Sequence, residues 1–309
     1  MEKIPLLVIA GPTASGKTGV AVELALALNG EVVSADSMQV YRGLTIGTAK
    51  ATAEERRGVP HHLIDVADPD EDYSVVRYQQ QAREAIRDIA ARGRLPILAG
   101  GTGFYINAVV KDTDFTEEHT DPVLRQALYD RAAQEGPEAF HARLAAVDPA
   151  AAAAIHPHNV RRVARALEYF RLTGERLSEH NAREAQKEGP YDLHFFVLTM
   201  ERARLYARIE ERIDEMMAQG LLDEAARLLA AGYPKSLPAM RGLGYKELFP
   251  YLEGECSLDE AVTTLKTNTR RYAKRQLTWF AGQTSGMWID RTDKTTAQTA
   301  AEILAQLRG

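Results

Sequence analysis

Gly11-Pro12-Thr13-Ala14-Ser15-Gly16-Lys17-Thr18 satisfies the pattern G-x-x-x-x-G-K-[ST] at every position. Residues in this order hold a polyphosphate. Such a loop wraps backbone N–H groups around phosphate oxygens at a helix N-terminus, and its glycines let the main chain approach closely. Lys17 adds a point charge, and the Thr18 hydroxyl is a ligand for Mg²⁺. The motif does not say that the ligand is a nucleotide.

The flanking elements fit this use. Residues 4–10 form an apolar run of the kind expected for a buried parallel strand. Residues 20–28 read as an Ala/Leu-rich helix, with Gly30 as its stop. Further strands are expected at 31–37, 61–66 and 95–98. Ser74 is placed to cap a helix that ends at Gly93. Alternating strands and helices indicate a parallel sheet covered by helices, with ligands at the carboxyl ends of its strands. Residues 111–120 are polar and loop-like, and 122–183 read as several helices without a strand. Strand pattern returns at 193–199, and the C-terminal part is largely helical. There, Ser257-Leu-Asp-Glu260 forms a capping box for a helix reaching Phe280, and residues 286–290 and 295–307 suggest a last strand and helix. The fold class is therefore α/β, a P-loop NTPase-like parallel sheet flanked by helices. Residues 1–112 and 191–309 form its core and 113–190 a helical insertion; alternatively, the sheet ends near 112 and a second domain begins.

Three other groups of residues suggest chemistry. Asp36, at the end of the second strand, reads equally as a general base or magnesium-shell carboxylate beside the phosphate site and as a turn residue that caps the next helix. Gly100-Gly101-Thr102-Gly103 ends the fourth strand, where its glycines would permit close approach to a ligand and Thr102 offers a hydroxyl. Arg161 and Arg165 share a helical face, as do Arg270 with Lys274 and Arg271 with Arg275. A charge run of this kind is usually a solvated face. Here, however, the second cluster contains no acidic residue from 266 to 275, in a chain of net charge −5, and it continues into Gln276, Trp279 and Phe280. Such surfaces suit phosphate backbones and unstacked bases. Arg208 reads either as an edge residue paired with Glu211 or as a diphosphate ligand.

The bulk composition sets limits. The chain has 309 residues, of which 45% are hydrophobic and 26% charged, as in ordinary globular proteins. No apolar run approaches the roughly 18 residues of a membrane span. The first strand starts too early to leave room for a signal peptide, and the single cysteine, Cys256, fits a reducing compartment, so a cytoplasmic protein is expected. No Cys/His cluster has zinc spacing.

Across nearly its whole length the chain resembles bacterial tRNA dimethylallyltransferases. The resemblance rests on GPTASGKT (11–18), SADSMQVYRGLTIGTAK (34–50), VPHHLIDV (59–66), YSVVRY (73–78), GGTGFYI (100–106) and DPVLR (121–125). It continues through HPHNVRRVARALE (156–168), LYARIEERIDEM (205–216), GLGYKE (242–247) and RRYAKRQLTWF (270–280). It implies transfer of a dimethylallyl group from its diphosphate to N6 of the adenosine 3′ of the anticodon, in tRNAs reading codons that begin with U. The diphosphate would lie on residues 11–18 with Mg²⁺ on Thr18, and Arg208 would assist Lys17. Asp36 is implied as the base, and Asp36, Ser37, Met38 and Gln39 as tRNA contacts. Thr102 and Arg125 are implied near the target nucleotide, and Arg161, Arg162, Val163, Ala164 and Arg165 on the tRNA. The implied insertion grips the anticodon stem-loop. Two departures from the family pattern fall in presumed RNA contacts: Ala281, where many members carry Arg, and His158 in His156-Pro157-His158-Asn159. A monomer is expected. The rival reading, a P-loop kinase of a nucleotide or small metabolite, explains residues 11–18 but neither the arginine clusters nor the GGTG turn.

Overall fold

Leu6, Leu7, Val8, Ile9 and Ala10 are all buried. Both faces of β1 (Ile4–Ala10) are thus covered, as a central parallel strand requires. The structure is a computed structural model that describes residues 3–113, 121–186 and 189–308. The remaining strands of its sheet are β2 (Gly30–Ser34), β3 (His61–His62), β4 (Leu95–Gly100), β5 (Tyr191–Thr199) and β6 (Met287–Asp290), in spatial order β3-β2-β4-β1-β5-β6. Every pairing is parallel, with Ala10 opposite both Gly100 and Val197.

The helices in chain order are α1 (Lys17–Leu28), α2 (Ala53–Arg56), α3 (Val75–Ala91), α4 (Gly103–Val110), α5 (Pro122–Glu135), α6 (Pro137–Val147), α7 (Pro149–Ala154), α8 (Val160–Thr173) and α9 (Leu177–Gln186). Beyond β5 come α10 (Arg202–Ala218), α11 (Leu221–Ala230), α12 (Phe249–Leu252), α13 (Leu258–Gln283) and α14 (Thr296–Arg308). One apolar cluster packs α1 and α14 on Leu7, Ile9, Ile97 and Leu198; the other packs α3, α4, α10, α11 and α13 on Leu6, Val8, Val33 and Leu98. Alternate residues of each strand feed opposite clusters, which places helices on both faces of the sheet.

Contacts divide the chain into two compact units, 1–110 with 190–309 and 111–189. The second contains α5 to α9. Three of these helices start with proline, after Asp121, Gly136 and Asp148, where the missing N–H costs nothing. Leu128, Phe140, Leu144, Val163, Ala164 and Leu167 form its core. The polar stretch expected at 111–120 lies outside the described residues from 114 onward.

Three local expectations change. The first helix stops at Asn29, which takes the left-handed conformation (φ 51°) and bonds back to the Ala25 carbonyl; Gly30 begins β2, where a Cβ would lie 2.8 Å from the Leu95 carbonyl. The second strand ends at Ser34, so Asp36 and Ser37 belong to the turn beyond it. The third shrinks to His61–His62, because Leu63 (φ 61°) and Asp65 (φ 58°) turn left-handed immediately afterwards.

Glu224, in the first turn of α11, fixes a loop that the sequence leaves unassigned. Its buried carboxylate accepts the N–H groups of Thr45 (3.1 Å), Ile46 (3.0 Å) and Gly47 (3.0 Å), and the Tyr245 hydroxyl at 2.7 Å. Removing it strands three backbone donors. Glu224→Ala is expected to cost about 3 kcal/mol, read as a lower urea midpoint, with Glu224→Gln losing less; a midpoint equal to the parent's would show that the loop is held by other contacts.

Candidate active site

The carboxyl ends of β1, β2 and β4 carry the phosphate loop, Asp36 and the GGTG turn, in adjacent strands. A pocket of about 370 Å³ opens there. Thr13, Lys17, Thr18, Asp36 and Gly101 line it together with Ile209, Arg212, Ile213, Met216, Leu221 and Leu265 from α10, α11 and α13. The lining thus combines polar and charged groups, Tyr272 and Arg275 among them, with apolar side chains.

Gly16 (φ 77°) ends the phosphate loop, and no side chain caps α1, leaving its first N–H groups for an anion. The carbonyls of the loop are bound by cations. Lys17 Nζ donates to Pro12 O (2.6 Å), and Arg208 Nε to Ala14 O (3.1 Å). Gln276 fastens the loop to its neighbour: its Oε1 accepts the Thr13 N–H, and its Nε2 donates to Gly101 O, each at 2.8 Å.

Lys17 is only half-buried as a residue, but its ammonium is crowded by protein atoms. That desolvation lowers its pKa to about 7, against the attraction of Asp36 and with the repulsion of Arg212. Burial also lowers the Arg212 pKa. Arg212 is not among the residues that the sequence singles out, although its spacing of four from Arg208 on one helix is visible there. Arg208 itself lies across Ala14 and forms no ion pair with Glu211 among the described residues.

Asp36 caps a turn and also lines the pocket. Its Oδ1 accepts the N–H groups of Met38 (2.9 Å) and Gln39 (3.3 Å), an Asx-type cap. The cap orients the carboxylate and, among the described residues, leaves Oδ2 without a backbone donor. Thr102 Oγ1 accepts the Ser37 N–H (3.0 Å) and donates to Ser37 Oγ (3.3 Å). The Tyr272 hydroxyl of the same pocket has its pKa pushed well up by burial and by the Asp36 charge. Gln39 spends its amide within the protein, donating to Thr48 O and Ala49 O and accepting from Ser34 Oγ.

The GGTG glycines pack closely against protein atoms, and Gly100 and Gly101 also line the pocket. A Cβ on Gly100 would lie 2.1 Å from Ala35 O, on Gly101 2.4 Å from Gln276 Nε2 and on Gly103 2.1 Å from Trp279.

The basic clusters divide. Arg270 pairs with Glu210, and Lys266 with Asp214 at 2.6 Å. Arg271, Lys274 and Arg275 are exposed without a carboxylate partner among the described residues, and Arg275 lies 5.8 Å over the Tyr272 ring. In the helical unit, Arg161 and Arg162 are exposed, whereas Val163 and Ala164 are buried in its core, so their side chains are unavailable to a partner. Arg125 and Arg165 converge on the fully buried Glu168, Arg125 through two bonds of 2.8 and 3.1 Å and Arg165 at 3.4 Å.

The family model for IPP transferase matches residues 39–283. The chain belongs to the IPP transferase family. It is 51% identical over 289 residues to the tRNA dimethylallyltransferase of Lachnoclostridium phytofermentans, covering 94% of this chain and 92% of that one. The tRNA isopentenylpyrophosphate transferase of Bacillus halodurans has the same fold, with a TM-score of 0.76 and 48% identity, over 99% of this chain and 96% of that one. A eukaryotic dimethylallyltransferase solved acting on tRNA aligns with a TM-score of 0.81 and 32% identity, over 94% of this chain and 75% of that one. Among the described residues of this IPP transferase, no helix is long and apolar enough to cross a membrane.

The Lys17 pKa carries a sign. An anion on the loop favours the charged ammonium, so binding above pH 7 takes up a proton. The dissociation constant for inorganic diphosphate is expected to rise about tenfold per unit as the pH climbs above 7. Calorimetry in buffers of different ionisation enthalpy should show proton uptake that Lys17→Met abolishes; equal uptake by parent and variant would exclude Lys17 as the titrating group.

Proposed function

We propose that this family member transfers a dimethylallyl group from dimethylallyl diphosphate to N6 of the adenosine 3′ of the anticodon, in tRNAs reading codons that begin with U. The observation that carries the reading is one pocket that joins the phosphate loop, Lys17 and Arg212 to a backbone-oriented carboxylate and to the apolar side chains of Ile209, Ile213 and Met216. Those apolar side chains suit a hydrocarbon group.

The exocyclic amine of adenine is a weak nucleophile, because its lone pair is delocalised into the ring. Asp36 accepts an N6 proton as the new C–N bond forms at the allylic carbon. The C–O bond to the diphosphate breaks at the same time, and its electron pair leaves as negative charge on the leaving group. Loop amides, Lys17, Arg208 and Arg212 face that growing charge. The loop thus serves a leaving group; no phosphoryl group moves. Ile209, Ile213 and Met216 shelter the five-carbon unit from water.

Mg²⁺ fits the donor set, since that ion takes one or two protein oxygens and fills its shell with phosphate oxygens and water. Thr18 would hold it, and it would supply charge neutralisation on the diphosphate.

Arg161, Arg162 and Arg165 in the helical unit, and Arg271, Lys274 and Arg275 on α13, suit the RNA backbone. The Glu168 pairs pre-orient Arg125 and Arg165. The target adenine must leave its stack to reach Asp36, which favours an unpaired loop over duplex. The protein is proposed to act as a cytoplasmic monomer.

Mass spectrometry of tRNA incubated with the protein and dimethylallyl diphosphate should show one C5H8 addition at that adenosine, with Asp36→Asn slower by about 10²–10⁴-fold. Label passing from ATP to a product, with unmodified tRNA, would instead establish the kinase.

Arg161→Ala should weaken tRNA binding and lower the slope of log K against log salt by about one. A slope equal to the parent's would leave Arg161 a solvated surface residue.

A further inference from the structure

Arg291 stands one residue beyond β6, outside the span matched by the family model, and the sequence shows no motif around it. It is nonetheless one of the few buried charged residues, 5% exposed. Its Nη1 donates to Ser15 O at 2.6 Å, and its Nε has no hydrogen-bond partner among the described residues. The guanidinium lies against Gly16, where a Cβ would fall 1.9 Å from Nη1. Among the described residues no carboxylate pairs with it; burial and then Arg208 are what act on its charge, both unfavourably. The backbone of Arg291 is anchored by its N–H to Thr199 O at 3.0 Å, so β5 and β6 hold the residue under the loop.

A buried arginine with no acidic partner is costly to fold, and its geometry indicates why this one is present. The Ser15–Gly16 peptide is planar, so its C=O and N–H point in opposite directions. Fixing the Ser15 carbonyl on Arg291 aims the Gly16 N–H at the opposite side, into the anion cradle, and the nearby positive charge polarises that amide toward an anion.

We propose that Arg291 is a positioning residue for diphosphate. It acts from beneath the phosphate loop through the Ser15–Gly16 peptide, as a cation that only a bound anion compensates. The inference rests on the proposed use of the loop for a diphosphate. It also gives Gly16 a second task, since any side chain there would displace the guanidinium.

The test pairs two readouts expected to move in opposite directions. Arg291→Met removes a buried unpaired charge at similar volume, so the ligand-free melting temperature should hold or rise. The same variant should bind inorganic diphosphate about tenfold more weakly and raise KM for dimethylallyl diphosphate, with its dissociation constant for tRNA unchanged. Arg291→Lys, which keeps the charge, should recover part of the diphosphate affinity. A purely structural role predicts a lower melting temperature with an unaltered diphosphate constant, and that outcome in either variant overturns the proposal. A parent protein that fails to bind diphosphate would instead overturn the proposed use of the loop.

Discussion

A loop that turns its N–H groups toward a ligand must turn its carbonyls away, and those carbonyls need partners. In this chain the partners are cations: Lys17 takes the Pro12 carbonyl, Arg208 that of Ala14 and Arg291 that of Ser15. Gln276 takes the Thr13 amide on the remaining side. These groups come from α1, α10, α13 and the end of β6, so the cradle forms only when the sheet and its covering helices are in place. The order β3-β2-β4-β1-β5-β6, with β1 near the middle, lets elements from both halves of the core sequence reach one loop.

The same arrangement gathers positive charge around the loop. Asp36 is the acidic group acting on Lys17; on Arg212 it acts together with Glu55 and Glu215, and it also acts on the Tyr272 hydroxyl. It thus offsets the cations of the site while its Oδ1 caps the turn through Met38 and Gln39. A carboxylate held this way is oriented through Oδ1, which leaves Oδ2 for the proposed proton transfer. In the proposed reaction, structural and chemical work fall on different oxygens of one side chain.

The sequence makes the sheet, its alternation with helices and the phosphate loop legible, because buried parallel strands are continuous apolar runs and the loop motif is specific. Less legible is what depends on contacts between distant residues. Glu224 reads as an ordinary helical acid until its three backbone partners from the 45–47 loop are seen. Arg212 reads as a surface arginine until burial and the pocket claim it. The GGTG glycines advertise close approach without saying to what; in the fold they approach Ala35, Gln276 and Trp279, and Gly100 and Gly101 also line the pocket. The short end of β3 is set by Leu63 and Asp65 in the left-handed region, a conformation that leucine does not announce.

These constraints bear on which chemistry the loop can serve. A kinase must neutralise a phosphoryl group in flight between two oxygens, and it places its acceptor beyond the terminal phosphate. Here Ile209, Ile213, Met216 and Leu265 line the pocket beside Arg212 and other polar groups, and under the proposed reaction these apolar side chains would take the five-carbon chain. The charge that develops in prenyl transfer is an allylic cation on one side and a diphosphate on the other. An apolar wall keeps water from capturing the cation, while amides and arginines stabilise the anion. In the proposed reaction it is this company of apolar side chains with loop and cations in one pocket, more than the loop motif itself, that suits a leaving-group site.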